Sequence, residues 1–401
     1  MAAALQKTAP PAKILCNMDL EFIPMFQPPL PDTYRNMPDE EACRRIKKAK
    51  DLLGNRLAIL GHHYQRDEII QFADFTGDSL KLSQVAAQQK NAEFIVFCGV
   101  HFMAESADIL TSDQQKVLLP NMMAGCPMAD MADIDQVEHC WQNLTQRIPQ
   151  PQKLVPVTYV NSSAKIKAFC GRHRGLCCTS SNALPVFQNL WHDDPQTVIL
   201  FLPDQHLGRN TGYAMGVPLE QMPLWDPYAP NGSLADQQCQ NAKVVLWDGF
   251  CTVHQDFTPD HVRQARDLRP DVKVIVHPEC MFEVAQAADD VGSTEYIIKT
   301  VSAAPAGSQW AVGTEIHLVE RLARKMASKD VHVRRLGDRP CLCVTMFRID
   351  LNHLAWVLDN VAENAAHPDY SDWPNRVLVD PATKKDARLA LDRMLNITCP
   401  T

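Results

Sequence analysis

Residues 57–65 read LAILGHHYQ, residues 154–163 LVPVTYVNSS and residues 272–280 VKVIVHPEC. Each opens with a short β-rich, largely apolar run of strand length. Each then delivers polar, reactive side chains at the C-terminal end of that run. From about residue 57 to 345 such runs alternate with amphipathic stretches of helix length, so the chain reads as stacked βα units around parallel sheets.

Working outward, the three regions share a plan. A further strand is expected at Phe94–Phe97 before GVHFMAES, near Cys177 and Cys178 before TSSNA, and over Tyr296–Lys299 after GST. Each region then reaches a cysteine in a loop: Cys126, Cys251 and Cys343. His62, Tyr159 and His277 lie 97 and 118 residues apart, and the cysteines 125 and 92 apart. The fold class expected is α/β: three related units, each a three-layer αβα arrangement on a parallel sheet, in pseudo-threefold arrangement around a central site. In such sheets ligands bind beyond the carboxyl ends of the strands. The expected divisions are an N-terminal arm at 1–37, units at 38–150, 151–255 and 256–345, and C-terminal helices at 346–401 packing on the first unit. A helix is expected from a cap at Asp39 to Leu53, with Gly54 and Asn55 ending it. The proline-bearing stretch 205–242 reads as an insert, either covering the site or mediating assembly.

Composition narrows the function. With 401 residues, 46% apolar and 7% aromatic, the chain buries large cores and is not disordered. Lys and Arg number 39 against 47 Asp and Glu, a net charge of -8 with no concentrated basic segment, which excludes a nucleic-acid partner. No apolar run approaches the ~18–20 residues of a membrane span, and MAAALQKTAPPAK lacks the apolar stretch of a secretory signal. A cytoplasmic protein is expected. Its 14 cysteines, irregularly spread, are unlike a disulfide scaffold, which leaves metal binding, catalysis or burial.

Neither the paired Cys-x-x-Cys knuckles of zinc ribbons nor a tight three-cysteine cluster is present. Three single cysteines, one per unit, suit a cubane iron–sulfur cluster. Three thiolates leave one iron without a protein ligand, free to act as a Lewis acid in dehydration.

The strings GHHYQRDEIIQFADFTGDSLKLS (61–83), GVHFMAESADIL (99–110), VTYVNSSAKIKA (157–168), TSSNA (179–183), LPDQHLGRNTG (202–212), CTVHQDFT (251–258), VIVHPEC (274–280) and GST (292–294) closely resemble the quinolinate synthase (NadA) family. The matches run in order over about residues 50–358. The resemblance implies a [4Fe-4S] cluster held by Cys126, Cys251 and Cys343. Cys341 competes for the third position, but Cys343 fits the family's Cys-x-x-Met register through Met346 and Ile349-Asp350-Leu351. It implies the condensation of iminoaspartate with dihydroxyacetone phosphate to quinolinate, with loss of phosphate and two waters, in NAD biosynthesis, and a functional link to L-aspartate oxidase.

On the matched motifs, His62, Ser79, Tyr159, Asn161, Ser180, His277, Glu279, Ser293 and Thr294 are the expected substrate-binding residues, most of them hydrogen-bond donors to carboxylate or phosphate. Tyr64, Tyr159, His254, His277 and Glu279 are the expected acids and bases, with Tyr64 closing over the substrate. His63, His101 and Cys280 are read as structural, Phe102 and Met103 as cavity wall, and Ser180-Ser181-Asn182 as phosphate-binding rather than only a helix cap. Ser79 in a GDSL string is not read as a hydrolase nucleophile, because helix-like IIQFADF precedes it. Two alternatives share these residues: another iron–sulfur hydro-lyase, and a non-catalytic iron–sulfur sensor.

Overall fold

The computed structural model describes residues 27–367 and 370–397. The expected arm lies mostly outside them, and its described end carries a one-turn helix, Asp32–Arg35. Three separate sheets come next. The first holds β1 (Leu57–His62), β2 (Phe75–Gly77), β3 (Phe94–Cys98) and β4 (Lys116–Leu118), with Arg376–Val377 antiparallel on its edge. The second holds β5 (Leu154–Tyr159), β6 (Leu176–Cys178), β7 (Val198–Leu202), β8 (Leu224–Trp225) and β9 (Val244–Trp247). The third holds β10 (Lys273–Val276), β11 (Asp290–Val291), β12 (Gln309–Gly313) and β13 (His332–Arg335).

Every sheet repeats one order, β2-β1-β3-β4, β6-β5-β7-β9 and β11-β10-β12-β13, with β8 added outside β9. Apart from Arg376–Val377, all pairings are parallel. The α/β class expected from the apolar runs is the one observed. β1 and β3 are buried at every residue, as helices on both faces require.

Three local expectations are corrected. Tyr296–Lys299 is not a strand: it lies in the helix Thr294–Ser302, where Ile297 and Val301 are buried at helical spacing and Ser293 Oγ caps the Tyr296 N–H at 3.3 Å. The strand is β11, just before Gly292. β2 is an addition to the expected strands; it runs from exposed Phe75 to buried Gly77 and forms no apolar run, and the helix before it ends at Ile70, so Ser79 follows a strand. Asp39 is the first residue inside its helix, Asp39–Leu53, flanked by Pro38. There it joins Glu40 and Glu41 at the positive end of the helix dipole. Gly54, at φ +49°, does end that helix.

Stretch 205–242 is built into the second unit. It starts as the helix Gln205–Ala214 and returns as β8, whose Trp225 is fully buried. Of the two C-terminal helices, Leu351–Asn364 packs on Asp39–Leu53 in the first unit. Pro381–Leu395 packs mainly on Ala164–Arg172 and β6 of the second unit, and also touches His101–Leu110 of the first, where Arg388 donates to the Ile109 and Leu110 carbonyls. Gly171 permits this, because a Cβ there would collide with the Asp386 carbonyl, and Arg393 donates to the Gly171 and Gly175 carbonyls. Among the described residues no helix is long and apolar enough to cross a membrane.

Candidate active site

The strand registers place equivalent residues around one cavity. Gly61 pairs with Cys98, Thr158 with Leu202 and Val276 with Gly313, so the next residues, His62, Tyr159 and His277, are counterparts. Two positions further stand Tyr64, Asn161 and Glu279. Beyond the adjacent short strands stand Ser79, Ser180 and Thr294. All nine line one cavity, together with Cys126, Cys251, Cys343, His254, Phe102 and Met103. Of the expected site residues only Ser293 is absent from the wall; it is spent as the cap described above. His63 pairs with Glu295 at 2.9 Å, and His101 lies 3.9 Å from Glu105, both away from the wall.

The cysteines are equivalent at the level of the backbone. In each unit the first helical residue after the third strand donates its N–H to the carbonyl two residues before a cysteine: His101 to Ala124 at 2.8 Å, Gln205 to Gly249 at 2.8 Å and Ile316 to Cys341 at 3.0 Å. The third donation puts Cys341 two residues before the counterpart position, and that counterpart is Cys343. Each cysteine sulfur also receives a backbone N–H from the residue three further on: Ala129, His254 and Met346. Cys341 lies outside the cavity wall, near the Arg339 carbonyl.

Burial pushes the Cys126 thiol up to about 12 and raises Cys251 and Cys343, the thiols opposing one another's ionisation. Among the described residues no Lys or Arg lines the cavity to offset three thiolates. Thiolates in this setting therefore require a bound cationic group, which displaces their protons. All twelve described cysteines are free.

A hydrogen-bonded chain runs through all three units. Ser180 bonds Tyr159, and Tyr159 bonds Glu279. Glu279 Oε2 lies 2.8 Å from His254 Nδ1, His254 Nε2 lies 3.1 Å from Thr314 Oγ1, and Thr314 Oγ1 lies 2.9 Å from Tyr64 Oη, which also meets Thr294 Oγ1 at 3.1 Å. Burial alone raises the Glu279 carboxyl, but the flanking imidazoles and the His254 and Tyr159 hydrogen bonds outweigh it and hold it at about 2. An ionised carboxylate only accepts, so His254 Nδ1 donates to it; whenever the ring carries no second proton, Nε2 accepts from Thr314 and Thr314 in turn accepts from Tyr64. Burial keeps both tyrosines protonated, with pKa values well above the ordinary phenol.

His62 and His277 are held neutral by burial, each at about 3. Their Nδ1 atoms accept the backbone N–H of Tyr64 at 3.2 Å and of Glu279 at 3.3 Å, which leaves Nε2–H as a donor in each. His277 stacks on His254 with ring centres 4.4 Å apart. Asn161 Oδ1 is buried with no partner among the described residues, a polar atom left for a ligand. Asn182 closes the turn by accepting from the Thr179 N–H at 2.7 Å, while Ser181 donates to Asp78 across units at 2.7 Å and Ser180 faces the cavity.

Cys251, His254 and Glu279 have ligand atoms within 4.8 Å of one another, the residue types of a single-cation site. Both His254 nitrogens are already engaged, however, and a lone cation there would break the chain just described.

Thr314 and Lys167 join the site without a sequence signal. Thr314 follows β12 in Gly-Thr-Glu, where nothing marks it until Tyr64 and His254 converge on it. Lys167 is fully buried behind Phe102, with Nζ 5.5 Å from that ring and donating to the Ser162 carbonyl. Its place in a helix gives it the look of solvent-facing charge.

The geometry can be set beside known proteins. The family model described as Quinolinate synthetase A protein matches residues 44–396. The quinolinate synthase of Anoxybacillus flavithermus is 52% identical over 366 residues, covering 91% of this chain and 96% of that protein. Those of Halalkalibacterium halodurans and Corynebacterium glutamicum are each 51% identical over 92% of this chain, covering 96% and 90% of their own lengths. A cavity built from threefold-equivalent strand ends thus coincides with a match over most of the chain, and the protein belongs to the Quinolinate synthetase A (NadA) family.

Proposed function

We propose that this protein is a quinolinate synthase acting in NAD biosynthesis, condensing iminoaspartate with dihydroxyacetone phosphate and releasing phosphate and two waters. Atoms balance without an oxidant or reductant, so the chemistry asked of the site is proton transfer and departure of oxygen leaving groups. The observation that carries the reading is the convergence of one thiol per unit, Cys126, Cys251 and Cys343, on the same wall as the Glu279–His254 pair.

The donor set fits a [4Fe-4S] cluster: three equivalent free cysteines, each with a backbone N–H on sulfur, in a pocket with no lining Lys or Arg among the described residues. When bound, such a cluster supplies an iron without a protein ligand, a Lewis acid toward substrate oxygen. The chain's residues account for the rest. Neutral His62 and His277 offer Nε2–H groups, and Asn161, Ser79, Ser180 and Thr294 offer amide and hydroxyl groups to carboxylate and phosphate oxygens. Glu279, ionised at neutral pH, is the base able to take a proton from a substrate carbon or nitrogen. The chain through His254 and Thr314 to Tyr64 carries a proton between Glu279 and a phenol on the opposite unit. Ser180 acts on the same carboxylate through Tyr159.

Oxygen-free protein given both substrates should form quinolinate, with close to four iron and four sulfide per chain. Glu279→Gln should bind the same iron but turn over roughly 10²–10⁴-fold more slowly. Wild-type turnover in Glu279→Gln would favour a non-catalytic iron–sulfur sensor. Dehydration of simple hydroxy acids without quinolinate formation would favour another hydro-lyase. One zinc without sulfide would favour the single-cation site at Cys251, His254 and Glu279.

A further inference from the structure

Two buried carboxylates stand behind the cavity and take no part in the chain described above. Asp204 follows β7, Glu315 follows β12, and both are fully buried. They occupy the same place in their units, the residue before the first residue of the helix that follows the third strand. Asp204 Oδ1 accepts the Leu207 N–H at 2.7 Å, capping the helix, while Oδ2 accepts the Cys251 N–H at 3.2 Å. Glu315 Oε2 accepts the His317 N–H at 2.8 Å, while Oε1 lies 2.9 Å from His317 Nδ1 and accepts the Cys343 N–H at 3.4 Å. The counterpart in the first unit is Val100, which has no polar side chain.

A side-chain carboxyl suits this task because its two oxygens can accept from two separate backbone N–H groups; burial raises the Asp204 carboxyl well above its usual range, and the Leu207 and Cys251 N–H bonds oppose that rise. One oxygen holds the helix start and the other holds the cysteine's own backbone, so the thiol is fixed relative to the rigid sheet rather than to its loop. We propose that Asp204 and Glu315 are positioning residues that preset Cys251 and Cys343 for the metal group, while Cys126 is held by the fold of its own loop. This rests on the iron–sulfur reading above. Partners of this kind, one bond removed from a metal ligand, typically change metal affinity by about 10–100-fold when lost.

The amide variants Asp204→Asn and Glu315→Gln keep shape and one acceptor but turn an NH₂ toward a backbone N–H. Each should leave the thermal midpoint of the protein near wild type. Each should also speed chelator-driven iron loss about tenfold, and alter the EPR spectrum of the reduced cluster. By hydrogen exchange, the Cys251 amide should lose protection only in Asp204→Asn and the Cys343 amide only in Glu315→Gln, with residues 124–130 unchanged in both. Iron loss and EPR spectra at wild-type values in both variants would overturn the proposal. If wild-type protein binds no iron and sulfide, the iron–sulfur reading fails instead, and exchange at the two cysteine amides still decides whether the carboxylates hold them. If a variant does not fold, wild-type exchange decides alone: an unprotected Cys251 or Cys343 amide overturns the proposal.

Discussion

Tyr64, carried by the loop after β1, meets Thr314, carried by the end of β12, at 2.9 Å between their hydroxyl oxygens. This bond joins the first unit to the third, and through the contacts of Thr314 with His254 and of His254 with Glu279 it completes the hydrogen-bonded chain at the cavity.

Thr314→Val keeps the shape of the side chain and removes the hydroxyl. His254 Nε2 is left unsatisfied in a buried setting, at a cost of about 1–3 kcal/mol, while Tyr64 Oη keeps its bond to Thr294. Turnover should fall roughly 10–100-fold with little change in iron content, less than the loss in Glu279→Gln. Steady-state kinetics beside an iron determination check this. Unchanged turnover would mean that no proton needs to pass between His254 and Tyr64.

Cys341 and Cys343 are two residues apart, yet their sulfurs face different surroundings. Cys343→Ser should sharply reduce iron binding, as should Cys126→Ser and Cys251→Ser, whereas Cys341→Ser should retain wild-type iron. Anaerobic iron and sulfide analysis of the four variants reads the difference. The opposite result for the 341 and 343 pair would reassign the third ligand.

Acid should weaken the fold through His62 and His277. Each folded pKa is about 3, below the unfolded value of about 6.5. Between these values the unfolded chain binds more protons, so stability is fully present above about pH 6.5 and is lost as pH falls toward 3. Glu279 adds in the same direction below about 4.5, because its folded value is about 2. His62→Asn keeps an acceptor at the Nδ1 position and should flatten the slope of the urea midpoint between pH 7 and 5. An unchanged slope would show that His62 is not held neutral.

Lys167 is a fully buried amine behind a wall that, among the described residues, has no Lys or Arg; burial lowers its pKa, while Glu105 and the neighbouring thiols oppose that shift. Lys167→Met preserves most of the volume and removes the amine. If the amine is held charged by these neighbours, the KM values for the two proposed anionic substrates should rise, roughly three- to tenfold, with a smaller change in kcat. Lys167→Arg should restore part of the affinity if it is accommodated. A fall in kcat alone would argue that Lys167 acts on the reacting groups instead.

Much of the fold and site is legible in local sequence. Continuous apolar runs specify buried parallel strands, and the residues after each run necessarily emerge at the carboxyl edge of a sheet. His62, Tyr64, Tyr159, Asn161, His277 and Glu279 are therefore placed around one centre by segment order alone. The recurrence of a cysteine per unit comes from the same periodicity. β2 and β11 escape such a reading because strands of only two or three residues carry no apolar pattern. Helix Thr294–Ser302 escapes it because the four residues Tyr296–Lys299 cannot separate helical from strand spacing.

Tertiary structure alone decided the rest. Thr314 matters because Tyr64, 250 residues away, meets its hydroxyl. Asp204 and Glu315 matter because the cysteine backbones 47 and 28 residues later return to them. Pro381–Leu395 crosses to the second unit because Gly171 leaves room there. Strand formation follows from the order of apolar and polar residues along a short segment, whereas each of these roles depends on which distant group supplies the partner for a buried polar atom, and only the folded chain specifies that.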